Sequence, residues 1–231
     1  MIIRKKAFTL VEMLIAMGIL SLFVVGVFSL FSQGQKTIAK GTWINNATNQ
    51  EALMLRKITE LTQKSSYPST VYDKVMKVNE GNNYKGRFKN IAAESNPTAG
   101  DLLAFPMCKP QTGNTNANKG EIEWAYLSLV MNPQYSGYAN LTLSRVAPAK
   151  YPPSATSNVV GMTQGQYNKN AAKAGSTVLL NDIEKVRIYK IPTATGCCIN
   201  ITFMLSNPKE NKFKKKVQMA LMLNVDCTDG F

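Results

Sequence analysis

The sequence predicts an α+β protein: one long N-terminal helix, membrane-spanning and then amphipathic, packed on an antiparallel β-sheet domain. Three observations predict it. Residues 8–31 form a 24-residue stretch with no Pro, Lys or Arg and a single ionisable group, Glu12; as a helix this crosses the hydrocarbon core of a bilayer. Downstream, Ile44, Ala47, Glu51, Met54, Leu55, Ile58 and Leu61 recur at steps of three and four, the spacing of one buried helical stripe. Beyond residue 101, several segments alternate apolar and polar residues with period two, as half-buried strands do.

The helix is the first element. Arg4, Lys5 and Lys6 precede the apolar run, and the positive-inside bias keeps residues 1–7 cytoplasmic and sends everything after residue 31 across the membrane. A cleaved secretory signal fits poorly: its apolar core spans about 7–15 residues before a small-x-small site, whereas this run passes into Ser32-Gln33-Gly34-Gln35. The helical pattern continues to about Tyr67, and Pro68 stops it. Gly34 and Gly41 each cost about 1 kcal/mol relative to Ala and mark the place for a bend or melted turn. A helix over 8–67 is about 90 Å long at about 1.5 Å per residue, so its outer half is expected to lie on the sheet.

Strands are expected at 101–107, 121–131, 138–146, 178–191, 197–206 and 216–225. The last is clearest: Val217, Met219, Leu221, Leu223 and Val225 share one face, and Lys216, Gln218 and Asn224 the other. Residues 132–137 and 207–215 read as hairpin connections. Residues 109–119 and 147–176 are rich in Asn, Gly, Pro, Ala and Ser and read as surface loops; at about 30 residues the second is long enough to hold local structure or a functional excursion. No internal repeat is evident, and the 231 residues suit one domain beyond the apolar helix.

Composition argues against several chemistries. With no His in the chain, Ser-His and Cys-His nucleophile pairs and imidazole metal ligands are excluded. No Gly-rich phosphate loop follows a strand. The acidic pairs Glu121/Glu123 and Asp182/Glu184 fall on solvated strand faces, and Asp226/Asp229 are too few for a calcium site. No cofactor, no metal and no catalytic residue is expected. The formal charge is +13, a balance that suits anionic partners such as DNA, lipid headgroups or acidic glycans. Its one tight cationic run, Lys212, Lys214, Lys215 and Lys216, is a possible anionic-ligand patch, with a solvated hairpin turn as the plainer reading.

A carboxylate inside an apolar run costs about 2.5–3.5 kcal/mol on insertion scales, so Glu12 should have a partner or a task. Lys6-Ala7-Phe8-Thr9-Leu10-Val11-Glu12 resembles the processing site of type IV prepilins and pseudopilins. The resemblance implies cleavage by the prepilin peptidase between Ala7 and Phe8 and N-methylation of Phe8, with Ala7 standing where Gly is commoner. Glu12 takes the place of the assembly glutamate, which pairs with the Phe8 amine of a neighbouring subunit. It further implies the pilin fold, divided into a leader (1–7), a membrane and filament-core helix (8–31), its amphipathic continuation (32–67) and a β-rich head (68–231). Removing the leader takes the charge from +13 to +10.

The segments 122–127, 141–145 and 179–189 are similar to strands of J-type minor pseudopilins and W-type minor pilins, which implies a minor subunit that initiates or caps a type IV pilus or type II secretion pseudopilus. K-type members typically lack the glutamate. The implied partners are other pilin subunits, the peptidase, an inner-membrane assembly platform and a motor ATPase; the implied location is a single pass in the inner membrane with the head periplasmic or extracellular. A DNA-uptake or adhesin subunit and a solitary membrane-anchored binding domain stay open as alternatives.

Cys108, Cys197, Cys198 and Cys227 all lie beyond the apolar run, and an exported domain favours disulfides. Strand parity puts Cys197 on the face of Ile199 to Leu205 and Cys227 in line with the face of Val217 to Val225, so these two are expected to meet. Cys198 then faces the other way with Cys108 as its remaining partner, free thiols being the alternative for that pair.

Overall fold

The computed structural model describes residues 9–66, 84–110, 120–146, 149–151, 173–193, 196–210 and 212–231. Among the described residues a single helix, α1 (Leu10–Gln63), precedes ten strands. These are β1 (Gly86–Phe88), β2 (Ile91–Ser95), β3 (Gly100–Pro110), β4 (Gly120–Met131), β5 (Ala139–Val146), β6 (Ala149–Tyr151), β7 (Lys173–Ile191), β8 (Cys197–Ser206), β9 (Lys214–Leu223) and β10 (Cys227–Asp229). The α+β class and the long N-terminal helix are as the sequence predicts. The chain divides into two compact units, the first ending at Asn45 and the second running from Asn46 to Phe231.

In the first unit the helix runs without interruption through Gly34 and Gly41, so the bend or melted turn expected there does not form. In the second, Ala47, Met54, Ile58 and Leu61 are buried, four members of the predicted stripe. The helix ends at Gln63, short of Tyr67, which lies outside the described residues with Pro68. Lys64 N and Ser65 N turn back to the carbonyls of Leu61 and Thr62, and Ser66 N donates to Pro106 O of β3 at 3.2 Å. A hydrogen bond to the sheet therefore replaces the next helical one, and no proline is needed to stop the helix.

The sheet is curled and mostly antiparallel, in the order β10-β1-β3-β4-β5-β7-β8-β9, with β2 also on β7 and β6 on β4. Among the described residues only β1 and β10 pair in parallel. All six expected strands are present, some with shifted ends. β7 begins at Lys173, inside the expected long loop, and β6 lies in the same segment. β1, β2 and β10 are further strands that the period-two pattern did not show. β7 reaches 19 residues by changing partners: Lys173 to Ile183 pair with β5 and Ile183 to Ile191 with β8. Asp182, at a left-handed φ of 60°, marks the changeover, and Gln50 Oε1 of the helix accepts from Asn181 N beside it at 3.2 Å.

One side of β9 is buried at alternate residues from Val217 to Leu223, facing Phe203, Ile201, Ile199 and Cys197 of β8 in register. Lys215 on that same side bonds Glu51 and Thr48 of the helix, so this is the side the helix covers. A second cluster, Tyr84, Ala104, Ile122, Trp124 and Tyr126, is also buried. Both expected hairpin connections form. Asn132 N donates to Tyr138 O and Asn207 N to Phe213 O, and each Asn side chain accepts from a backbone N–H two residues on, the turn-forming habit of Asn.

Candidate functional site

The helix begins at Leu10, and Thr9 caps it. Thr9 N and Thr9 Oγ1 both donate to Glu12 Oε2 at 2.9 Å, while Glu12 N donates to Thr9 Oγ1 at 3.3 Å. This is a reciprocal capping box: two backbone donors at the helix start are satisfied by two side chains three positions apart. The Thr-x-x-Glu spacing, visible in the sequence, supplies Glu12 with a local hydrogen-bonding partner. Around the cap the helix is apolar and open. Leu10, Leu14, Ile15, Phe23, Phe28 and Phe31 are all more than half exposed, and among the described residues this is one helix long and apolar enough to cross a membrane. Ala7 and Phe8 lie outside the described residues.

Residues 3–28 match the family model of the prokaryotic N-terminal methylation motif. The chain carries the type IV pilin and pseudopilin signature. The matched stretch contains the capped Glu12, the basic residues before it and most of the exposed apolar surface. For the pilin-type motif this means a membrane-anchoring helix and assembly with other pilin subunits after the prepilin peptidase has acted. No curated protein and no solved structure matches the chain.

The candidate cationic patch is taken apart by the strand it sits on. Lys214 and Lys216 fall on one side of β9 and Lys215 on the other. Lys214 pairs with Glu184 at 2.9 Å, Lys215 with Glu51 at 2.6 Å and Lys216 with Glu94 at 3.8 Å, while Lys212 is exposed in the turn. Three of the four cations thus have internal carboxylate partners, and the run does not form one free basic face. The acidic pairs are likewise used internally: Glu123 pairs with Arg145 at 3.3 Å, and Asp229 Oδ1 accepts from Asn90 N at 3.0 Å. Among the described residues no group of three or more Cys, Asp or Glu is placed to hold a metal ion.

None of the four cysteines is bridged in this structure. Cys197 and Cys227 are both buried; the Cys227 thiol donates to Val225 O at 3.9 Å, and interaction with Cys227 holds the Cys197 thiol below its ordinary value. The pairing of Cys198 with Cys108 is not made. Cys108 is drawn to the end of the helix, where its Sγ donates to Ser66 O at 3.3 Å and its N to Ser66 Oγ at 3.0 Å. Cys198 lies on β8 between Ile191 and Met222, with β4, β5 and β7 standing between it and β3 in the sheet order.

Beside the buried thiols is a cluster the sequence reading missed. Lys190 Nζ donates to Asp226 Oδ1 at 2.7 Å and to Cys227 O at 3.1 Å, and Lys85 Nζ lies 3.4 Å from Asp226 Oδ2. The hydrogen bond to Asp226 raises the Lys190 ammonium above its ordinary value, against partial burial. Partial burial pushes Asp226 up, but the hydrogen bonds from Lys190, Cys227 N and Lys85 outweigh it and hold the carboxyl below its ordinary value. Parity could have found Lys190, since it shares the side of Val186 and Ile188, whose partners are Phe203 and Ile201.

Proposed function

We propose that this chain is a minor pilin or pseudopilin, a structural subunit that helps initiate or cap a type IV pilus or type II secretion pseudopilus. In this reading, the peptidase removes residues 1–7 after Ala7, Phe8 becomes the methylated N-terminus, and residues 8–31 pass from lipid into the shared apolar core of the filament. The head is periplasmic or extracellular. An assembly platform and motor ATPase in the inner membrane do the work, and the chain itself performs no catalysis.

The observation that carries this is Glu12: a carboxylate at the start of an exposed apolar helix, inside the methylation motif, with hydrogen bonds from Thr9 and no cation beside it in the described residues. Both hydrogen bonds reach Oε2 and leave the carboxylate's charge uncompensated in lipid. A cation arriving on a neighbouring subunit supplies what Thr9 cannot, and the amine created on Phe8 is such a cation. Four residues of helix rise about 6 Å, which favours pairing between staggered copies over pairing within one chain.

The test is Glu12→Ala expressed with the peptidase and the remaining subunits. The expected variant stays in the membrane, is cleaved normally and drops at least tenfold in the sheared filament fraction. Normal incorporation overturns the assembly role. N-terminal sequencing of the mature wild-type chain tests the rest: methyl-phenylalanine is expected, and an uncleaved Met1–Ala7 leaves a solitary anchored domain as the better reading. The internal pairing of Lys214, Lys215 and Lys216 lends no support to an anionic-ligand or DNA-uptake role.

A further inference from the structure

One edge of the longest strand is only half used. β7 pairs with β5 along its first half, but on the other edge β8 joins it only from Ile183 onward, because β8 stops at Ser206 and turns back. Among the described residues no strand takes that edge before Ile183. Gly175, at φ +64°, bends the strand near its start and leaves Ser176 to Leu180 as a short open edge. Exposed edges are ordinarily blunted by charge, by proline or by a covering element. Ser-Thr-Val-Leu-Leu carries neither charge nor proline. The helix closes its far end, where Gln50 Oε1 accepts from Asn181 N at 3.2 Å.

Beside this edge a groove of about 510 Å³ runs between the strand and the helix. Its apolar walls include Leu53, 68% exposed, on the helix, and Val178, 51% exposed, with Leu179 on the strand. Arg56 and Lys57 line it as well. Neither forms an ion pair with a described residue, whereas Glu60, the acid in the same wall, is held by Lys64 at 2.7 Å. The groove is thus apolar with surplus positive charge.

We propose that residues 176–180 and this groove together receive an extended segment of a different protein, one in which carboxylates flank apolar residues. The segment adds to β7 as a further strand, in line with β8 and beyond its end. Its backbone takes the open ladder positions, and one row of its alternate side chains enters the groove. Apolar residues of that row meet Leu53 and Leu179, and the carboxylates meet Arg56 and Lys57. A second copy of this chain is the wrong occupant on charge, because each copy carries a formal +13 and like-charged copies repel. The whole surface lies between Asn46 and Phe231, so it serves a filament subunit and a solitary anchored domain alike.

The test uses the full-length chain in detergent and two fluorescein-labelled heptapeptides, Glu-Thr-Val-Thr-Val-Thr-Glu and its counterpart with Lys in place of Glu. In either strand direction their valines and end charges share one face. The acidic peptide is expected to bind at least tenfold more tightly than the basic one by fluorescence anisotropy, and to slow hydrogen exchange over residues 176–182. Arg56→Glu combined with Lys57→Glu is expected to invert that preference, and Leu53→Asp to weaken the acidic peptide at least tenfold. Where a variant fails to fold, the two peptides on the wild-type chain decide alone. Equal binding of both peptides, no binding of the acidic one at millimolar concentration, or slowed exchange elsewhere in the head but not at 176–182 overturns the proposal. Self-association of the free chain that slows exchange at 176–182 also overturns it, in favour of a second copy.

Discussion

Between Leu10 and Phe31 the helix turns apolar side chains outward on every side, with Leu22, Phe23 and Phe28 about as exposed as Leu10. Between Ala47 and Leu61 a single stripe, Ala47, Met54, Ile58 and Leu61, is buried, Met54 completely, while Leu53 off the stripe is exposed. The same backbone geometry serves two surroundings. Continuous apolarity needs a low-dielectric medium supplied from outside the chain, whether lipid or other helices, while periodic apolarity is satisfied by the chain's own sheet. The difference teaches that the composition of a helix says less about its partner than the angular distribution of its apolar residues.

The sharpest way to break that comparison is to delete equivalent side chains from the two regions and measure unfolding of the head. Phe203→Ala, at a fully buried ring on β8, is expected to cost about 3–5 kcal/mol, and Met54→Ala about 2–5 kcal/mol. Leu14→Ala is expected to leave head stability within about 0.5 kcal/mol; a cost like that of Met54 in denaturant unfolding would show that the apolar run is part of the head's core. Next in size is the junction of β1 with β10. Gly86→Ala places a methyl group 2.8 Å from the Cys227 sulfur and is expected to cost about 1–3 kcal/mol by overpacking, read as a lower denaturation midpoint.

A smaller effect is expected on the sheet's cationic strand. Lys215→Ala removes a half-buried pair with Glu51 and should cost about 1 kcal/mol, the upper end for partly exposed ion pairs. Lys212→Ala, in the turn, should be silent in the same thermal scan. Equal effects would show that the run acts as one patch. The pH response should be the smallest, because Asp226 and Lys190 are both partly exposed and solvent screens them. Asp226 is held below its ordinary value, so its contribution is present above about pH 3.9 and is lost as pH falls through the depressed folded value. Lys190 is raised, so its contribution is present below about pH 10.4 and is lost as pH climbs through the raised folded value. A melting-temperature profile that Asp226→Asn flattens at the acid end is expected; an unchanged acid limb would dismiss the pair as a contributor.

Much of the fold was legible because burial of one face imprints a period. Alternation from Val217 to Leu223 located β9, and the same parity on β7 could have found Lys190 on the side of Val186 and Ile188. β1, β2, β6 and β10 were not legible: at three to five residues they are too short to show a period, and the parallel pairing of Gly86 with Cys227 joins positions that no local pattern connects. The helix end was misjudged for a related reason, since Ser66 is taken up by Pro106 of β3 and not by any helix-stopping residue. The basic run offered a possible patch by proximity in sequence, with a solvated turn as the plainer reading, and its division between two sides follows from successive strand residues facing opposite ways. At the helix start the motif and the Thr9 spacing were both visible, and only the motif was used.

The way β10 joins β1 sets an order of events for a head synthesised from its N-terminal side. β1 is made early, yet one of its edges stays bare until residues 227–229, the last strand in chain order, have been made. An unpaired edge of that kind is a template for wrong partners, including the same edge on a second nascent copy. The hazard ends with three residues of late sequence, which gives the final strand the part of a latch against premature aggregation.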